Sequence, residues 1–463
     1  MKTSSAALAI FAALAVATIP AITLAQEERD VDRGPIIQYG EPDFFRPYDK
    51  RGLHVFETTK ADLNTRYTGR KISFGAGFTQ QFQSLKNENP GAENNTGTSD
   101  NALFPLAPGF MTAQANLYID AQLGEGIRLH LANYMSSRHH NEFWVKGGYL
   151  QIDKFPFEGK FWDNLSELVT VKAGHMEINY GDAHFRRPDG GHTLYSPFME
   201  GNIMDAFATE IAGEVYIQKN GIFGMVGISN GMIRGAAQGI EETAGNQFGA
   251  ANPSIYLKTG IDKQVNDDLR LRLTGSLYHN SGTGGSGLTL YAGDRTGSNY
   301  QNVMEQYYTN GTAKTATAMY SSGRFNPGYN GKLNAIMING FAKMQGLEFF
   351  GTYEYASGRA KATADADNRV TTQYALEGLY RFGSYENLYI GLRYNVVNSE
   401  LLLSGNLTDV NVNRFASGAG WFITKNILMK GEYVIQKYND FPTTDYRHSG
   451  KFNGAVLEAI IAF

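Results

Sequence analysis

The chain has 463 residues, a formal net charge of −4 and no cysteine. The lack of cysteine excludes a disulfide framework and a lipid-modified N-terminal cysteine, and the slightly negative charge gives no sign of a nucleic-acid-binding surface. The composition includes 53 Gly, 27 Tyr and 28 Phe, as expected of a chain with many strands and tight turns. After the N-terminus, no apolar stretch reaches the roughly 18 residues of a membrane-spanning helix.

The first 25 residues have the layout of a cleaved secretory signal peptide, with a positive charge near the start. An apolar run extends from Ala6 to Leu24, and the small residues Thr23 and Ala25 favour cleavage after Ala25. An uncleaved membrane anchor is the alternative, since the run nearly reaches the ~20 residues that a spanning helix needs. Export, no later spanning helix and a strand-rich composition together predict a transmembrane β-barrel.

Residues 26–60 show no regular alternation of apolar and polar side chains. We interpret this segment as an N-terminal periplasmic extension, with a short plug that enters the barrel as the alternative. It is far too short for the plug domain of a gated siderophore-type transporter, whose barrel would need about 22 strands.

Residues 61–463 carry the alternation that a transmembrane barrel requires, because one face of each strand meets lipid and the other meets water. In "KISFGAGFTQQF", Phe74 and Phe78 share the apolar face, whereas Ser73 and Gln81 share the polar face. Short turns join such strands into hairpins, and longer loops rich in Asn, Gly, Ser and Thr separate the hairpins. The pattern predicts an all-β antiparallel barrel of about 16 strands, with about 14 or 18 as alternatives. The predicted strands lie near residues 70–85, 110–123, 127–137, 142–155, 167–180, 209–219, 221–231, 253–263, 268–280, 334–344, 346–357, 370–382, 386–398, 409–424, 426–437 and 451–463.

The chain ends "NGAVLEAIIAF", an alternating strand closed by Phe463. This ending resembles the assembly signal of bacterial outer-membrane proteins. Together with the export signal, the strand number and the position of the third long loop, it gives the mature chain a resemblance to bacterial outer-membrane porins of the phosphate-selective type. The resemblance lies mainly in architecture; at the level of motifs it rests on "YGDAHFRR", which is similar to a Gly-bounded, Arg-containing segment of porin-like families.

The resemblance implies a location and a set of partners. The protein is expected in the outer membrane of a Gram-negative bacterium, in contact with lipid and lipopolysaccharide, as a homotrimer that passes small hydrophilic solutes. Phe463 would be recognised by the barrel assembly machinery. No cofactor, metal or nucleic acid is expected.

The stretch "GDAHFRRPDGGH" begins the third long loop, residues 181–208. In porins this loop folds inward and narrows the pore, and opposed charges at such a constriction select solutes by size and charge. The resemblance therefore implies a loop that narrows the lumen, and the alternative is a solvated loop outside the barrel. The predicted constriction residues are His184, Arg186, Arg187, Asp189 and His192.

On the strand positions predicted to face inward, basic and acidic side chains are nearly equal in number. The sequence therefore does not establish a continuous row of cations that would conduct phosphate. Those predicted to form a basic pore lining are Arg128, Lys258, Arg270, Arg272 and Arg393. Other basic residues of this parity are Lys71, Lys172, Arg381 and Lys430. Arg186 and Arg187 would favour anions if both point into the pore.

The leading prediction is passive diffusion of small hydrophilic solutes or ions, with a preference for anions, through a water-filled barrel. One alternative is a transporter for hydrophobic molecules, similar to long-chain fatty-acid transporters, with about 14 strands and the N-terminal segment as a hatch. Another is a barrel component of a larger surface complex. Enzymatic activity is not predicted, since no serine stands out as a nucleophile, and the spacing of His175, His184 and His192 is not that of a helical zinc motif.

Overall fold

The computed structural model describes residues 36–39, 50–60, 67, 69–90, 101–137, 142–231, 252–282, 287–292, 297, 299–309, 312–314, 322–361 and 368–463. The predicted signal peptide, residues 1–25, lies outside the described residues. Regular structure in the described part of the chain is almost entirely strand. The exceptions are one short helix, α1 (Lys160–Ser166), and single 3₁₀ turns at Lys50–His54, Ala183–Arg186 and Gly190–Tyr195.

Sixteen long strands of the described residues form one closed antiparallel barrel, which confirms the predicted fold class. Each strand pairs with its neighbours in sequence, and the last strand pairs with the first, where Ser84 lies opposite Ala455. The strands are β1 (Lys71–Glu88), β2 (Gln114–Gly124), β3 (Ile127–Ser136), β4 (Phe143–Ile152), β5 (Val169–Glu177), β6 (Thr209–Lys219), β7 (Ile222–Ser229), β8 (Ser254–Gln264), β9 (Leu269–Asn280), β10 (Lys332–Met344), β11 (Leu347–Arg359), β12 (Arg369–Phe382), β13 (Leu388–Leu403), β14 (Asn406–Thr424), β15 (Ile427–Asn439) and β16 (Lys451–Ala462).

The seam of the barrel involves both ends of the chain. Phe463 is the last residue of the seam, and its backbone exchanges hydrogen bonds of 2.8 and 2.9 Å with Ala76. Beyond that point the edge of β1 would be unpaired, but the short strand Ile36–Tyr39 pairs with it in parallel, opposite Lys71 to Phe74. The N-terminal segment therefore covers a sheet edge that the C-terminal strand is too short to reach.

The outer face of the barrel is apolar and the inner face is mostly polar. In β8, Ile255 and Leu257 are exposed on the outside, whereas Tyr256 and Lys258 between them are buried inside. Exposed aromatic rings on the outer face include Tyr374 and Tyr380 of β12, which lie about 20 Å apart at about 3.3 Å per residue. Aromatic residues near both edges of an apolar band are typical of a barrel that spans a membrane. No helix in the described residues is long and apolar enough to cross a membrane.

Short turns lie at one end of the barrel, here called the turn end, and most longer loops lie at the other, the loop end. The strand expected near residues 386–398 ends later than predicted, at Leu403, and the strand expected near residues 409–424 begins earlier, at Asn406, so that they meet in a two-residue turn. Ser404 and Gly405 form this turn with φ angles of 50° and 83°. Positive φ at both central positions is what a type I′ hairpin turn requires.

The lumen is largely filled by loops. At the loop end, apolar residues of the long connections between β5 and β6 and between β9 and β10 pack on inward residues of the wall. Met199, Ile203, Leu290 and Tyr300 are among the buried members of this cluster. Since these side chains face other protein atoms and not water, the inner wall at the loop end is apolar, and the predicted alternation is blurred there.

Candidate functional site

The connection between β5 and β6, residues 178–208 and here named loop L3, lies inside the lumen. Its backbone is fixed to side chains of the wall: Met199 N donates to Glu432 Oε2 at 2.9 Å, and Ile203 N donates to Asn395 Oδ1 at 2.6 Å. Buried backbone groups need such partners, because water cannot reach them. L3 thus crosses the barrel and binds the wall on its far side.

Two of the predicted constriction residues are buried in ion pairs with the wall and with L3 itself. Arg186 Nη1 lies 2.8 Å from a carboxylate oxygen of Glu348, and its Nη2 lies 3.1 Å from Glu377. Arg187 Nε lies 3.0 Å from Asp205 of the same loop. Both guanidinium groups are paired with acids and do not border the cavity described below. Arg186 attaches L3 to the barrel, whereas Arg187 joins two parts of L3.

Asp189, a third predicted constriction residue, joins L3 to β4. It pairs with Lys146 and lies 3.0 Å from Arg187 Nη1. Burial alone would raise the pKa of Asp189, but the adjacent Lys146 and Arg187 cations outweigh it and hold the pKa well below its usual range. Asp189 is therefore ionised over the physiological pH range.

Lys146 was missed by the sequence analysis because a β-bulge interrupts β4. The register of β3 and β4 shifts between Ala132 and Asn133, so that Gly147 lies opposite Ala132 and Val145 lies opposite Asn133. The extra residue between them is Lys146. A bulge redirects a side chain, and here it places the ammonium group in the lumen beside Asp189.

A second network of buried charges joins L3 to β8, β9 and the N-terminal segment. Lys258 Nζ lies 2.7 Å from both Glu57 and Asp182, and Arg272 Nη2 lies 2.7 Å from Asp182 and 2.5 Å from Glu57. Burial opposes ionisation of Asp182, yet the two cations lower its pKa. The network holds three separate parts of the chain together.

The other predicted pore-lining residues also face inward and have partners. Arg128 Nη2 lies 2.8 Å from Asp153, and Arg270 Nη2 lies 2.7 Å from Asp262. Arg393 donates to the backbone oxygen of L3 residue Glu200 at 2.6 Å. These basic side chains therefore lie on the inner face of the barrel, as predicted, and nearby acceptor groups balance most of their charge.

A cavity remains between L3 and the wall formed by β2 to β6. The volume of this cavity, including the part that opens to solvent, is about 1190 Å³. The lining residues are Phe56, Glu57, Thr58, Tyr118, His130, Ala132, Lys146, Gly147, Tyr149, Gln151, Thr170, Lys172, Met176, Glu177, Asn179, His184, Phe185, His192, Thr209, Tyr216 and Gln218. Of the predicted constriction residues, His184 and His192 border this cavity.

The two imidazoles that border the cavity are positioned by L3. His184 pairs with Glu177 through Nδ1 and contacts Asn179 Oδ1 at 3.0 Å through Nε2. The His192 ring lies 5.3 Å from the Tyr118 ring. In the described part of the chain, no group of three or more His, Asp or Glu side chains is arranged to hold a metal ion.

Lys172 of β5 differs from the other inward cations. Its Nζ lies 5.5 Å from the ring centre of Tyr149 and 5.0 Å from that of Tyr216. Among the described residues, no carboxylate pairs with it and no acceptor hydrogen-bonds to it. The alternation of residues in its strand predicted that Lys172 faces inward. Only the tertiary structure distinguishes it from the cations that have acidic partners.

Residues 50–60 of the N-terminal segment lie across the turn end of the lumen. Leu53 and Phe56 are buried, with Phe56 packed on Phe341 and Phe350 of the wall. Lys60 Nζ donates to the backbone oxygen of Asp153, after β4, at 2.7 Å, and to that of Val169 at the start of β5. The segment is held by apolar packing as well as by Glu57.

A closed antiparallel barrel with an apolar outer face and charged groups inside is a transmembrane β-barrel. The sequence matches no protein-family model, and no curated protein is detectably similar to it.

Solved structures show the following similarities. The anion-selective porin from Comamonas acidovorans is 11% identical, with a TM-score of 0.48, over 85% of this chain and 100% of that chain. The high-pH structure of OprB from Pseudomonas putida is 13% identical, with a TM-score of 0.47, over 85% and 94% of the two chains. The outer membrane channel DcaP of Acinetobacter baumannii is 11% identical, with a TM-score of 0.46, over 86% and 99%.

Proposed function

We propose that this protein is an outer-membrane channel for passive diffusion of small hydrophilic solutes or ions. The observation that carries the proposal is the cavity between L3 and strands β2 to β6, which polar and ionisable side chains line inside a closed barrel. A barrel of about 16 strands is wide enough for an aqueous lumen. Such passage needs no cofactor and no covalent chemistry.

L3 would act as the size filter of this channel. Its ion pairs with β11 and β12 and its hydrogen bonds with β13 and β15 attach it to one side of the lumen, and the space that remains follows the wall of β2 to β6. His184 and His192 would border the passage on the loop side, with Lys172 and Tyr149 on the wall side. A solute would therefore pass between fixed polar groups, which select by size and charge.

A preference for anions is the finer part of the proposal. Arg186 and Arg187 contribute little to it, because nearby carboxylates balance their charges. Lys172 supports it, since this cation borders the cavity without a carboxylate partner among the described residues. The expected readout is a reversal potential of the sign for anion flux in a KCl gradient.

The position of the passage can be tested with single cysteines, because the chain has none of its own. Gln218→Cys places a thiol on the cavity, and Lys219→Cys places one on the exposed neighbouring residue. The purified protein is expected to give stable ohmic steps in a planar bilayer. A cationic methanethiosulfonate reagent should lower the conductance of the Gln218→Cys variant and leave that of Lys219→Cys unchanged. Folded protein without conductance, or equal effects at both positions, would contradict the proposal.

The N-terminal segment favours a second candidate, a transporter in which residues 50–60 act as a hatch. We propose in either case that these residues form a short plug, since Leu53 and Phe56 are buried in the turn end. The buried ion pairs around Lys258 and Arg186 suit polar solutes better than hydrophobic ones. Uptake of a long-chain fatty acid by liposomes that hold the protein, without ohmic conductance, would favour the transporter.

Cellular placement is also part of the proposal. Residues 1–25 would direct export and be removed, and Phe463 would serve assembly of the barrel in the outer membrane, where lipopolysaccharide and a homotrimeric arrangement are expected. The Phe463 side chain is 52% exposed at the barrel seam, so its removal is expected to slow assembly more than it destabilises the folded barrel.

A further inference from the structure

Among the residues that the structure describes, one cation of the cavity has no ion pair. Lys172 lies between the rings of Tyr149 and Tyr216, which attract its ammonium group by their electron-rich faces. Ring faces hold an ammonium group in place, but they are not conventional hydrogen-bond acceptors for its N–H groups. Among the described residues these donors have no hydrogen-bond acceptor, so they are available to a ligand in the cavity.

Aromatic rings continue from Lys172 along the same wall and onto L3. The rings of Tyr149 and His130 have centres 5.1 Å apart, and those of His130 and Tyr118 are 6.0 Å apart. His192 of L3 follows, 5.3 Å from Tyr118. Rings at these spacings offer faces and edges to a flat ligand. All of these residues border the cavity.

The charge of the site distinguishes between kinds of anion. Lys146 also borders the cavity, but it is paired with Asp189. Glu177 and Glu57 border it as well, but Glu177 is paired with His184, and Glu57 with Lys258 and Arg272. A phosphate or other dianion is usually held by several cations or backbone N–H groups. Lys172 alone among the described cations of the cavity has no ion pair, and a single ammonium group suits a monoanion instead.

We propose that Lys172 and the adjacent rings form a binding site for a small monocarboxylate that carries a flat ring. The carboxylate accepts hydrogen bonds from Lys172, and the ring packs along Tyr149, His130 and Tyr118. This site deepens the proposed channel function and rests on it, because it gives the passage a preferred class of solute.

Calorimetry on the purified full-length protein in detergent micelles tests the site without reference to conduction. Benzoate is the probe, benzamide supplies the same ring without the charge, and acetate supplies the charge without the ring. Benzoate should bind at least about fivefold more tightly than either comparator. Its affinity should fall at least about fivefold in Lys172→Gln, recover in Lys172→Arg, and stay unchanged in Lys219→Gln. The last variant removes the same charge from an exposed position.

Two results would overturn the site: benzoate and benzamide binding equally, or a Lys172→Gln variant, folded by circular dichroism, that binds benzoate as well as the parent protein does. Equal binding of benzoate and acetate would remove the role of the rings. Failure of the site and failure of the channel are separable. Chloride conductance without benzoate binding would leave the channel and reject the site, whereas benzoate binding without conductance would do the reverse.

Discussion

Glu57 shows how a single residue attaches the N-terminal segment to the barrel wall. Its side chain is 6% exposed, and its carboxylate faces Lys258 of β8 and Arg272 of β9, with Asp182 of L3 beside it. Burial would raise the pKa of Glu57, but the two cations outweigh burial and lower the pKa to about 2. The ionised form is thus stabilised only while the N-terminal segment is docked.

Acid should therefore release residues 50–60. The free segment would have a Glu57 pKa near the ordinary value of 4.5, and the docked segment has one of about 2. A lowered pKa stabilises docking fully above the ordinary value, and the stabilisation is lost as the pH falls towards 2. A spin label on Thr59→Cys should become mobile over this interval, and with Glu57→Gln it should be mobile at pH 7. Glu125→Gln, which breaks an exposed pair with Lys154, is the control. A label of constant mobility in all three proteins would contradict this account.

At the scale of strands, glycines on the inner face make room for tyrosine rings. A Cβ atom at Gly227 of β7 would lie 2.1 Å from the ring of Tyr256, and one at Gly420 of β14 would lie 2.3 Å from the ring of Tyr389. In both cases the ring covers a glycine on the paired strand. This packing of a ring on a glycine helps to fix which residues of the two strands lie opposite each other.

Gly227→Ala should consequently destabilise the barrel. The added methyl group must displace the Tyr256 ring, whose hydroxyl donates to Glu214 at 2.9 Å, and overpacking of this kind costs about 1–3 kcal/mol. Gly224→Ala in the same strand is the matched control, because its Cβ would meet open space. Thermal unfolding in detergent, followed by circular dichroism, should show a lower midpoint for Gly227→Ala only. Equal midpoints would mean that the ring moves aside without cost.

At the scale of the whole molecule, L3 depends on charges that lie far apart in the sequence. Arg186 is separated by more than 150 residues from both of its partners, Glu348 of β11 and Glu377 of β12. All three side chains are buried. Removal of one member of a buried pair leaves an uncompensated charge, which is far more costly than loss of an exposed pair.

Arg186→Ala should destabilise the protein by about 3 kcal/mol and loosen L3. Lys154→Ala, which breaks an exposed pair, should cost about 1 kcal/mol or less. In planar bilayers the Arg186→Ala channel should show larger or noisier conductance, because L3 would no longer be fixed to one side of the lumen. An Arg186→Ala protein with unchanged stability and conductance would remove the assigned role of this ion pair.

The alternation of apolar and polar residues determined the barrel, because a strand between lipid and water repeats every two residues and this period is visible within single strands. The strand number and most strand positions followed from it. The exceptions were local: Lys146, where a bulge breaks the parity, and the hairpin at Ser404 and Gly405, where the turn itself contains only two residues.

The sequence by itself determined the outer face, the inward face and the place of L3 in the chain order. Only the tertiary structure decided which inward charges are balanced, so that Arg186 and Arg187 are paired, whereas Lys172 has no ion pair among the described residues. It also decided that residues 50–60 enter the turn end. The physical reason is that ion pairs and packing inside the lumen join residues from distant strands and loops, and their distances depend on closure of the barrel, which no local pattern records.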